Sequence, residues 1–278
     1  MKQVTIYDIA KEANVSVATV SRVLNNTAPV KDSTRLKIMG LIDHYQFQPN
    51  ALARGLSKKE TGTIGVIQTA NRIPLVLVNG NLPGTSLYRV MTNESKGAEI
   101  ATQYLIDCGH RDIAFIAGND NMTTTAQKVR AFKKVMASNG LPVPDTRVLY
   151  GDFSMTSGER LMKRFLSEES RPTAVFCVND FTAVGAVKAA MKAGVRVPDD
   201  ISIIGFDDIP LASAIYPELT TVKQQMDQLG ATALEVLHKL VVKEKVKKVT
   251  IIEPELVVRE SARRLSADRQ AAAATEIE

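Results

Sequence analysis

Polar residues that follow short apolar runs are the first candidates for chemistry in this 278-residue chain. Asn79, Asn179 and Asp207 each stand at or just past the end of such a run, and Phe153 follows another. Amide and carboxylate groups can hydrogen-bond the hydroxyls of a sugar while an aromatic ring stacks on its apolar face, so this set favours a carbohydrate-like ligand. The alternative is structural, with Asn179 as a helix cap, Asp207 in a turn and Phe153 in the core.

Residues 6–25 form the second candidate site, and its chemistry suits DNA. Small and apolar residues recur at helical spacing on both sides of Asn14, which allows two short helices to cross closely, as in a helix-turn-helix. The second helix would lie in the major groove, where Arg22 can contact guanine or a phosphate, and Val17 and Ala18 offer apolar contacts to bases. The further candidates, for contacts to the DNA backbone or at the cap of the second helix, are Thr5, Tyr7, Ser16, Thr19, Ser21 and Asn25. An ordinary helical hairpin is the alternative.

The distribution of charge agrees with a DNA-binding amino-terminal region. The chain has a net charge of +5, and residues 1–60 hold nine Lys/Arg against five Asp/Glu, so most of the positive charge lies there. A positive segment attached to a near-neutral body is typical of a module that binds a polyanion. A solvated basic surface is the alternative interpretation of the same charges.

Composition and motifs argue against several other classes of protein. Hydrophobic residues make up 45% and charged residues 23%, as in globular proteins, and no apolar run reaches the roughly 18 residues of a membrane helix. The start MKQVTIYDIA lacks the apolar segment of an export signal, so we expect a cytoplasmic, nucleoid-associated protein. The two cysteines are far apart, and His44, His110 and His238 have no metal-binding spacing. Because a phosphate loop, a dinucleotide fingerprint and a nucleophile elbow are also absent from the sequence, we expect no enzyme, cofactor or metal.

Three regions of secondary structure must position these residues. Residues 1–46 are predicted to form three short helices, the third from about 32 to 45 with Leu36, Met39, Ile42 and Phe47 available for a small core. Residues 47–61 form a joint with too little apolar surface for an independent helix. In the remainder, short buried strands alternate with helices, which is typical of a parallel sheet covered on both faces. The predicted strands are 64–67, 75–78, 113–116, 148–150, 174–178, 201–205 and 250–258, and the predicted helices are 95–107, 125–138, 157–168, 181–193 and 224–242.

Several long motifs along the chain are typical of one protein family. The amino-terminal end carries IYDIAKEANVSVATVSRVLNN and FQPNALARGLSKKETGTIGVI. The pattern resumes with RIPLVLVNG, GHRDIAFIAG, AVFCVNDFTAVGAV, GVRVPDDISIIGFDDIPLA, PELTTVKQQ and LVVRES. These stretches resemble the lactose/galactose repressor family of bacterial transcription regulators and cover nearly the whole chain except its last residues. The resemblance implies an all-α helix-turn-helix head followed by an α/β effector domain like the periplasmic binding proteins, with parallel sheets and one truncated subdomain.

The family resemblance also implies a role for the joint. In this family the stretch that matches Asn50–Leu56 folds into a hinge helix on operator DNA, paired with its copy from a second protomer. The resemblance places Leu56 as an apolar wedge in a base step of the minor groove and Ala53 within that groove. The implied partners are therefore an inverted-repeat operator and a second copy of the chain in a homodimer.

The resemblance assigns an effector site to the body of the chain. In related repressors the positions of Asn179 and Asp207 hydrogen-bond a small-molecule effector, and the position of Phe153 stacks on it. Lys128 stands where the family has an arginine, and lysine keeps the charge but loses the bidentate fork. The implied function is a transcriptional repressor whose operator affinity a sugar or sugar derivative controls.

The chain departs from the family pattern between Ile67 and Ile73, where roughly sixty to seventy residues are missing as judged from usual domain lengths. This gap removes part of one effector subdomain, so a DNA-binding remnant without ligand switching is the alternative function. The expected domains are 1–46 for the DNA-binding head, 47–61 for the hinge and linker, 62–92 with 221–249 for the truncated N-terminal effector subdomain, 93–220 with 250–260 for the C-terminal effector subdomain, and 261–278 for a disordered tail.

Overall fold

The computed structural model describes residues 6–25, 30–45, 74–80 and 86–265. The contacts divide the chain into two compact units, Met1–Arg72 and Ile73–Glu278, which we call the head and the body. Among the described residues, no helix combines the length and the apolar character that a membrane crossing requires. The predicted strand 64–67 and the joint at 47–61 lie outside the described residues.

Within its described residues, the head contains three helices around one small core. They are α1 (Ile6–Ala13), α2 (Val17–Asn25) and α3 (Asp32–His44). The buried core residues are Ile9, Ala10, Ala13, Val20, Val23 and Ile38. The prediction for α3 was wrong for Leu36, which is 73% exposed, and for Met39, which is 42% exposed, while Ile38 is fully buried in their place. Ile42 packs against the core as predicted, and Phe47 lies outside the described residues. In the first two helices the apolar spacing predicted the burial of Ile9, Ala10, Ala13, Val20 and Val23, and these residues are buried. Val17 is half-buried, and the side chains of Ile6 and Leu24 are not described.

The body alternates strands and helices along the chain. Its strands are β1 (Val76–Val78), β2 (Tyr88–Thr92), β3 (Ile113–Ala117), β4 (Val148–Tyr150), β5 (Ala174–Cys177), β6 (Ser202–Asp207), β7 (Thr220–Lys223), β8 (Val249–Ile252) and β9 (Glu255–Val257). Its helices are α4 (Glu94–Asp107), α5 (Thr123–Ser138), α6 (Met155–Leu166), α7 (Asp180–Lys192) and α8 (Met226–Val241), with short 3₁₀ turns at Asp145–Arg147 and Pro210–Ser213. The strands β2 and β7 have no counterpart among the predicted elements.

Six strands form the large sheet, in the order β4-β3-β5-β6-β7-β9. All neighbours are parallel except β7 and β9, which run antiparallel. One face packs against α4 and α5 through residues such as Leu105 and Phe132, and the other face packs against α6 and α7 through residues such as Phe165 and Ala186. Because both faces are covered, β3 and β5 are buried along their whole length, as their unbroken apolar sequence requires.

Three strands form the small sheet, in the order β1-β2-β8, and all of them are parallel. Helix α8 packs against this sheet, and their shared core contains Val90, Leu229, Val236 and Ile252. The chain therefore passes between the two sheets three times within the body.

The structure corrects three expectations for the carboxyl-terminal part. The predicted strand 250–258 is two strands, because β8 pairs with β2 in the small sheet whereas β9 pairs with β7 in the large one. The passages between sheets consequently follow Lys223 and Ile252 instead of falling near 221 and 249. The segment after Ser261 is ordered as far as Leu265, since Ser261 Oγ donates to Ile203 O over 2.6 Å and Leu265 N donates to Cys108 O over 2.8 Å. Residues 266–278 lie outside the described residues.

Candidate DNA interface and ligand site

The turn between α1 and α2 has the geometry that two closely crossing helices need. Asn14 has a φ of 56°, a left-handed conformation that asparagine tolerates better than most residues. Val15 N donates to Ala10 O over 3.0 Å, which closes the end of α1. Ser16 then begins α2, because its Oγ accepts a hydrogen bond from Thr19 N over 3.2 Å.

The polar candidates on α2 differ in how available they are. Arg22 is exposed and has no carboxylate partner among the described residues of the head. Ser16 and Thr19 are joined through their hydroxyls at 2.9 Å, so each already has one partner. Val17 is half-buried against the head core and offers only part of its surface to a base. Ser21 is half-buried on the same helix.

For seven of the residues predicted to contact DNA, the structure describes no side chain. Tyr7, Ala18 and Asn25 lie on α1 and α2, and the structure describes only their backbone. Thr5, Asn50, Ala53 and Leu56 lie outside the described residues. These seven assignments stay predictions.

The predicted ligand residues of the body collect at the carboxyl ends of the strands in the large sheet. Phe153 follows β4, Asn179 follows β5, and Asp207 ends β6. In parallel sheets these ends share one edge, which is where ligands of such folds bind. Asn79 follows β1 in the small sheet and reaches the same region through a hydrogen-bonded network with Asp207.

Asn179 performs the structural role that was its alternative interpretation. Its Oδ1 accepts from Thr182 N over 2.9 Å and caps α7, while its Nδ2 donates to Phe153 O over 3.2 Å. This second bond holds the backbone of Phe153, which has a φ of 67°. The ring of Phe153 lies over Gly118, directly after β3, where a Cβ atom would overlap the ring carbons. Gly118 is therefore needed for the close approach, and the sequence analysis missed it.

Lys128 is buried and its charge is compensated within the protein. Its Nζ lies 3.0 Å from Glu94 Oε2, donates to Val178 O over 3.0 Å, and stands 3.4 Å from the ring centroid of Phe206. Removing one partner of an ion pair this deeply buried strongly destabilises the protein, because the other charge is left buried without compensation. Glu94, the first residue of α4, was not among the predicted residues.

A hydrogen-bonded network joins the two sheets at Asp207. Gln224 Nε2 donates to Asp207 Oδ1, and Gln224 Oε1 accepts from Asn79 Nδ2 over 2.7 Å and from Thr92 Oγ1 over 3.0 Å. Asn79 Oδ1 in turn accepts from Thr92 N over 2.7 Å. Gln224 directly follows β7, where the chain leaves the large sheet, and Thr92 ends β2, where the chain leaves the small sheet. We call these four residues the bridging network.

The electrostatics of Asp207 reflect this setting. Burial raises the pKa of its carboxyl above the ordinary value, although the Lys128 charge and the hydrogen bond from Gln224 act in the lowering direction. Its backbone has a φ of 113°, and the next residue, Asp208, pairs with Arg259 at 2.7 Å. Asp208 therefore serves the fold, whereas Asp207 presents a carboxylate among groups from both sheets.

Comparison with known proteins identifies the kind of molecule that carries these two sites. Residues 5–50 match the family described as bacterial regulatory proteins, lacI family, and residues 102–262 match the periplasmic binding protein-like domain. The chain is 33% identical to catabolite control protein A of Priestia megaterium, over 87% of this chain and 94% of that protein. The chain belongs to the LacI family of bacterial regulatory proteins. The resemblance inferred from the sequence motifs is thereby confirmed.

Solved structures of LacI-family proteins share the fold. The lac repressor dimer bound to operator and the anti-inducer ONPF is 25% identical with a TM-score of 0.62, covering 95% of this chain and 100% of that one. A LacI family transcriptional regulator from Enterococcus faecium, with bound ribose, is 26% identical with a TM-score of 0.62, covering 69% and 71%. The expected helix-turn-helix head and periplasmic-binding-protein-like body are confirmed, and membership places the chain among regulators instead of enzymes.

The alignment also measures how short this LacI-family chain is. It extends over 312 residues but includes only 87% of this chain, so about 70 positions of catabolite control protein A have no counterpart here. This agrees in size with the expected gap, while its location between Ile67 and Ile73 stays a prediction. Among the described residues, no group of His, Cys, Asp or Glu side chains has the geometry to hold a metal ion.

Proposed function

We propose that this LacI-family regulator is a homodimeric repressor that releases or grips an inverted-repeat operator in response to a carbohydrate-like effector. The observation that carries the effector part is the bridging network, because it puts the polar groups most suited to a sugar between two sheets of the body. A ligand that exchanges hydrogen bonds there would change how the two sheets are joined. Such a change is the kind of differential contact that couples two sites.

For the DNA part, α2 is the proposed reading helix. Arg22 is exposed with no carboxylate partner among the described residues, so it is available to a guanine edge or a phosphate. Thr19 and Ser21 on the same helix, and Ser16 at its cap, are candidates for contacts to the DNA backbone. The solved lac repressor is a dimer on operator, and by analogy we propose pairing of two heads on two half-sites. The hinge contacts of Ala53 and Leu56 belong to this proposal.

For the effector part, Asp207 and Asn79 are the proposed hydrogen-bonding groups and Phe153 the proposed stacking ring. Asp207 and Asn79 already have internal partners, so a ligand hydroxyl would take over bonds that Gln224 now makes. Lys128 is proposed to act on the ligand site through its ion pair with Glu94, because the ammonium group is already paired with that carboxylate. The Enterococcus faecium relative was solved with ribose, which supports a sugar as the class of ligand.

The experiment begins with selection of a binding site from a random duplex library by the purified protein. Arg22→Ala should weaken binding of the selected duplex by about 1 to 3 kcal/mol, the usual worth of a bidentate base contact. Arg160→Ala, at an exposed position of α6 in the body, is the matched control and should leave the affinity unchanged. Selection of no inverted repeat would contradict the proposed function.

The effector part is tested with a panel of pentoses, hexoses and their phosphates. A ligand should raise the melting temperature of the protein and change the affinity for the selected duplex, and Asp207→Asn should abolish both effects. Asp145→Asn, at a fully exposed carboxylate, is the control variant. A DNA-binding remnant without switching is the second candidate, favoured by the internal partners that Asn179, Lys128 and Asp207 already have. It would be supported if no compound changes either quantity.

We further propose the domain assignment with the boundaries shifted to the observed passages. The small sheet with α8 would be the truncated N-terminal effector subdomain, and the large sheet with its four helices the C-terminal one. A cytoplasmic, nucleoid-associated location is part of the same proposal.

A further inference from the structure

The segment from Lys243 to Lys248, with the sequence KEKVKK, is a compact positive feature of the body, and we call it the lysine turn. It follows the end of α8, where Lys243 has a φ of 62° and leaves the helix. Its four lysines and its glutamate are exposed, while Val246 is half-buried against the core of the small sheet. The valine therefore anchors the segment and leaves the charged side chains in solvent.

Three ammonium groups of the lysine turn have no neutralising partner among the described residues. No carboxylate pairs with Lys243, Lys245 or Lys247 within the part of the chain that the structure describes. Lys248 is engaged differently, because its Nζ donates to Ser86 O over 2.9 Å and lies 4.0 Å from the ring centroid of Tyr88. A stabilising role at the end of α8 accounts for Lys243 alone, since a helix dipole acts only within about one turn.

The charge of the lysine turn contrasts with that of its surroundings. Residues 61–278 hold 26 Lys/Arg and 25 Asp/Glu, and the turn supplies four of those lysines with only Glu244 against them. The rest of that stretch is therefore net negative. A cluster of four lysines on a near-neutral body has a local positive field that attracts an anionic surface.

The lysine turn lies at the edge of the small sheet where the chain enters the body. Val76 pairs with Tyr88, and Arg89 pairs with Val249, so the amino ends of β1, β2 and β8 are level. With neighbouring strands about 4.8 Å apart, Lys248 is about 10 Å from Val76. Pro74, the first residue of the body that the structure describes, precedes β1 at this same edge. The lysines thus stand at the edge of the small sheet where the described part of the body begins.

We propose that the lysine turn binds the phosphate backbone of duplex DNA beside the site that the helix-turn-helix reads. The inference rests on DNA binding by the head. Attachment to a DNA-bound head gives the turn a high effective concentration of phosphates. Duplex DNA carries one negative charge per about 1.7 Å of its axis, and each lysine that neutralises a phosphate releases a condensed counterion. The contact adds affinity that is independent of the base sequence.

The test compares a triple variant, Lys243→Gln with Lys245→Gln and Lys247→Gln, with the wild-type chain. The control variant combines Lys133→Gln, Lys188→Gln and Lys192→Gln, which removes the same charge from exposed positions on α5 and α7. The probes are duplexes with the site that the protein itself selects, one of about 20 base pairs and one of about 50 base pairs with random flanks. The measured quantity is the slope of the logarithm of the binding constant against the logarithm of the salt concentration.

We expect the triple variant to lower the steepness of this slope by about 2 to 3 on the long duplex, since each lost phosphate contact is worth about 0.9. The slope on the short duplex and both slopes of the control variant should match the wild type. Unchanged slopes in the triple variant would overturn the proposal. Equal losses on both duplexes would also overturn it, because the lysines would then act on the selected site.

Further measurements distinguish duplex DNA from a different anionic partner of the lysine turn. If an acidic peptide or single-stranded RNA binds the wild type but not the triple variant while the DNA slopes agree, the turn serves that partner and the proposal fails. Melting temperatures of all variants serve as the check on folding. If the wild type selects no site, the proposed operator binding fails, and the lysine turn is still tested by the same slopes on the random long duplex.

Discussion

The large and small sheets of the body follow the same parallel strand–helix pattern but differ in how completely they are covered. The large sheet has helices on both faces and two extensive cores, one on each side. Within the described part of the chain, the small sheet has three strands and packs against one helix, α8, around four buried residues. Apolar side chains on its periphery stay exposed in the structure, among them Val78 at 43%, Leu234 at 69% and Ile251 at 46%.

The contrast teaches which part of the body carries its stability. Parallel strands are normally buried on both faces, and hydrophobic stabilisation grows with the apolar area removed from water. The large sheet meets this condition and the small sheet meets it on one side. We therefore expect uneven local stability, with the small sheet opening at lower free energy than the large one. The bridging network then links a rigid half to a more easily opened half.

The largest expected effect is in the core of the large sheet. Phe115 is fully buried, stacks on Phe176 with ring centroids 4.6 Å apart, and contacts Phe132 at 5.4 Å. Phe115→Ala should lower the free energy of unfolding by about 3 to 5 kcal/mol. Val90→Ala, at a fully buried position in the small sheet, should cost only about 2 kcal/mol, because it removes far fewer buried carbon atoms than the loss of a phenyl ring.

Urea denaturation measures both variants, and hydrogen exchange shows where protection is lost. Phe115→Ala should reduce protection across the large sheet, whereas Val90→Ala should reduce it in β1, β2 and β8 alone. Uniform loss of protection throughout the body in both variants would break the comparison, since the two sheets would then unfold as one unit. Glu169→Gln, at an exposed loop position, serves as the neutral control.

The second prediction concerns the buried ion pair beside the bridging network. Lys128→Met should cost about 3 to 5 kcal/mol, because Glu94 is then left buried without its counter-charge. Adding Glu94→Gln should recover much of the loss, since no uncompensated charge is left. If the double variant regains stability and still responds to a sugar, Lys128 acts on the fold. If stability returns and the response is lost, the pair contributes to the ligand site.

The sequence predicted the large sheet better than the small one for a physical reason. Long apolar runs such as 113–116 and 174–178 can only be buried strands, so β3 and β5 were found within one residue of their ends. The strands β2 and β7 mix polar residues with apolar ones, and only their pairing partners define them. The single strand predicted at 250–258 was wrong because Pro254, which can interrupt a strand, does not tell which sheet each half joins, and only the pairing with β2 and β7 defines that.

The candidate site was predictable in its position but not in its partners. Residues after strand ends identified Asn79, Asn179 and Asp207, because topology brings such ends to one edge. Gln224 follows β7 in the same way, but β7 itself was not recognised, so the residue that joins Asn79 to Asp207 was missed. Contacts between distant segments, such as Lys128 with Glu94, leave no local signal in one sequence.

The third prediction uses His110, which ties the large sheet to the carboxyl-terminal segment. Its Nδ1 lies 3.0 Å from Thr173 Oγ1, and its Nε2 lies 3.1 Å from both Ser202 Oγ and Arg263 O. Burial is the main cause that lowers its pKa to about 4 from 6.5. Because the unfolded chain takes up this proton first, the stabilisation is complete above about pH 6.5 and is lost as the pH falls towards 4, with a total of about 3 kcal/mol.

The contribution of Asp180 to stability changes with pH in the opposite direction to that of His110. The pH dependence of the wild type alone therefore does not isolate His110. Burial raises the pKa of Asp180 to about 6, which adds stability at acidic pH that disappears as the pH rises from about 4 to 6. The informative quantity is the difference in unfolding free energy between the wild type and His110→Gln. This difference should shrink by about 3 kcal/mol between pH 7 and pH 4, and a constant difference would contradict the assignment.

The prediction with the smallest expected effect concerns whether the outer side of the small sheet is exposed to solvent. Leu234, on α8, and Val78, at the end of β1, border an apolar groove of about 380 Å³ that also includes Leu237. Leu234→Gln should change the free energy of unfolding by less than about 0.5 kcal/mol, as exposed substitutions usually do. A loss near 2 kcal/mol would mean that apolar surface covers this leucine in solution. If that loss grows with protein concentration, a second copy supplies the cover, and if it does not, the chain covers itself. Either result would make the small sheet resemble the large one, because both sheets would then be buried on two faces.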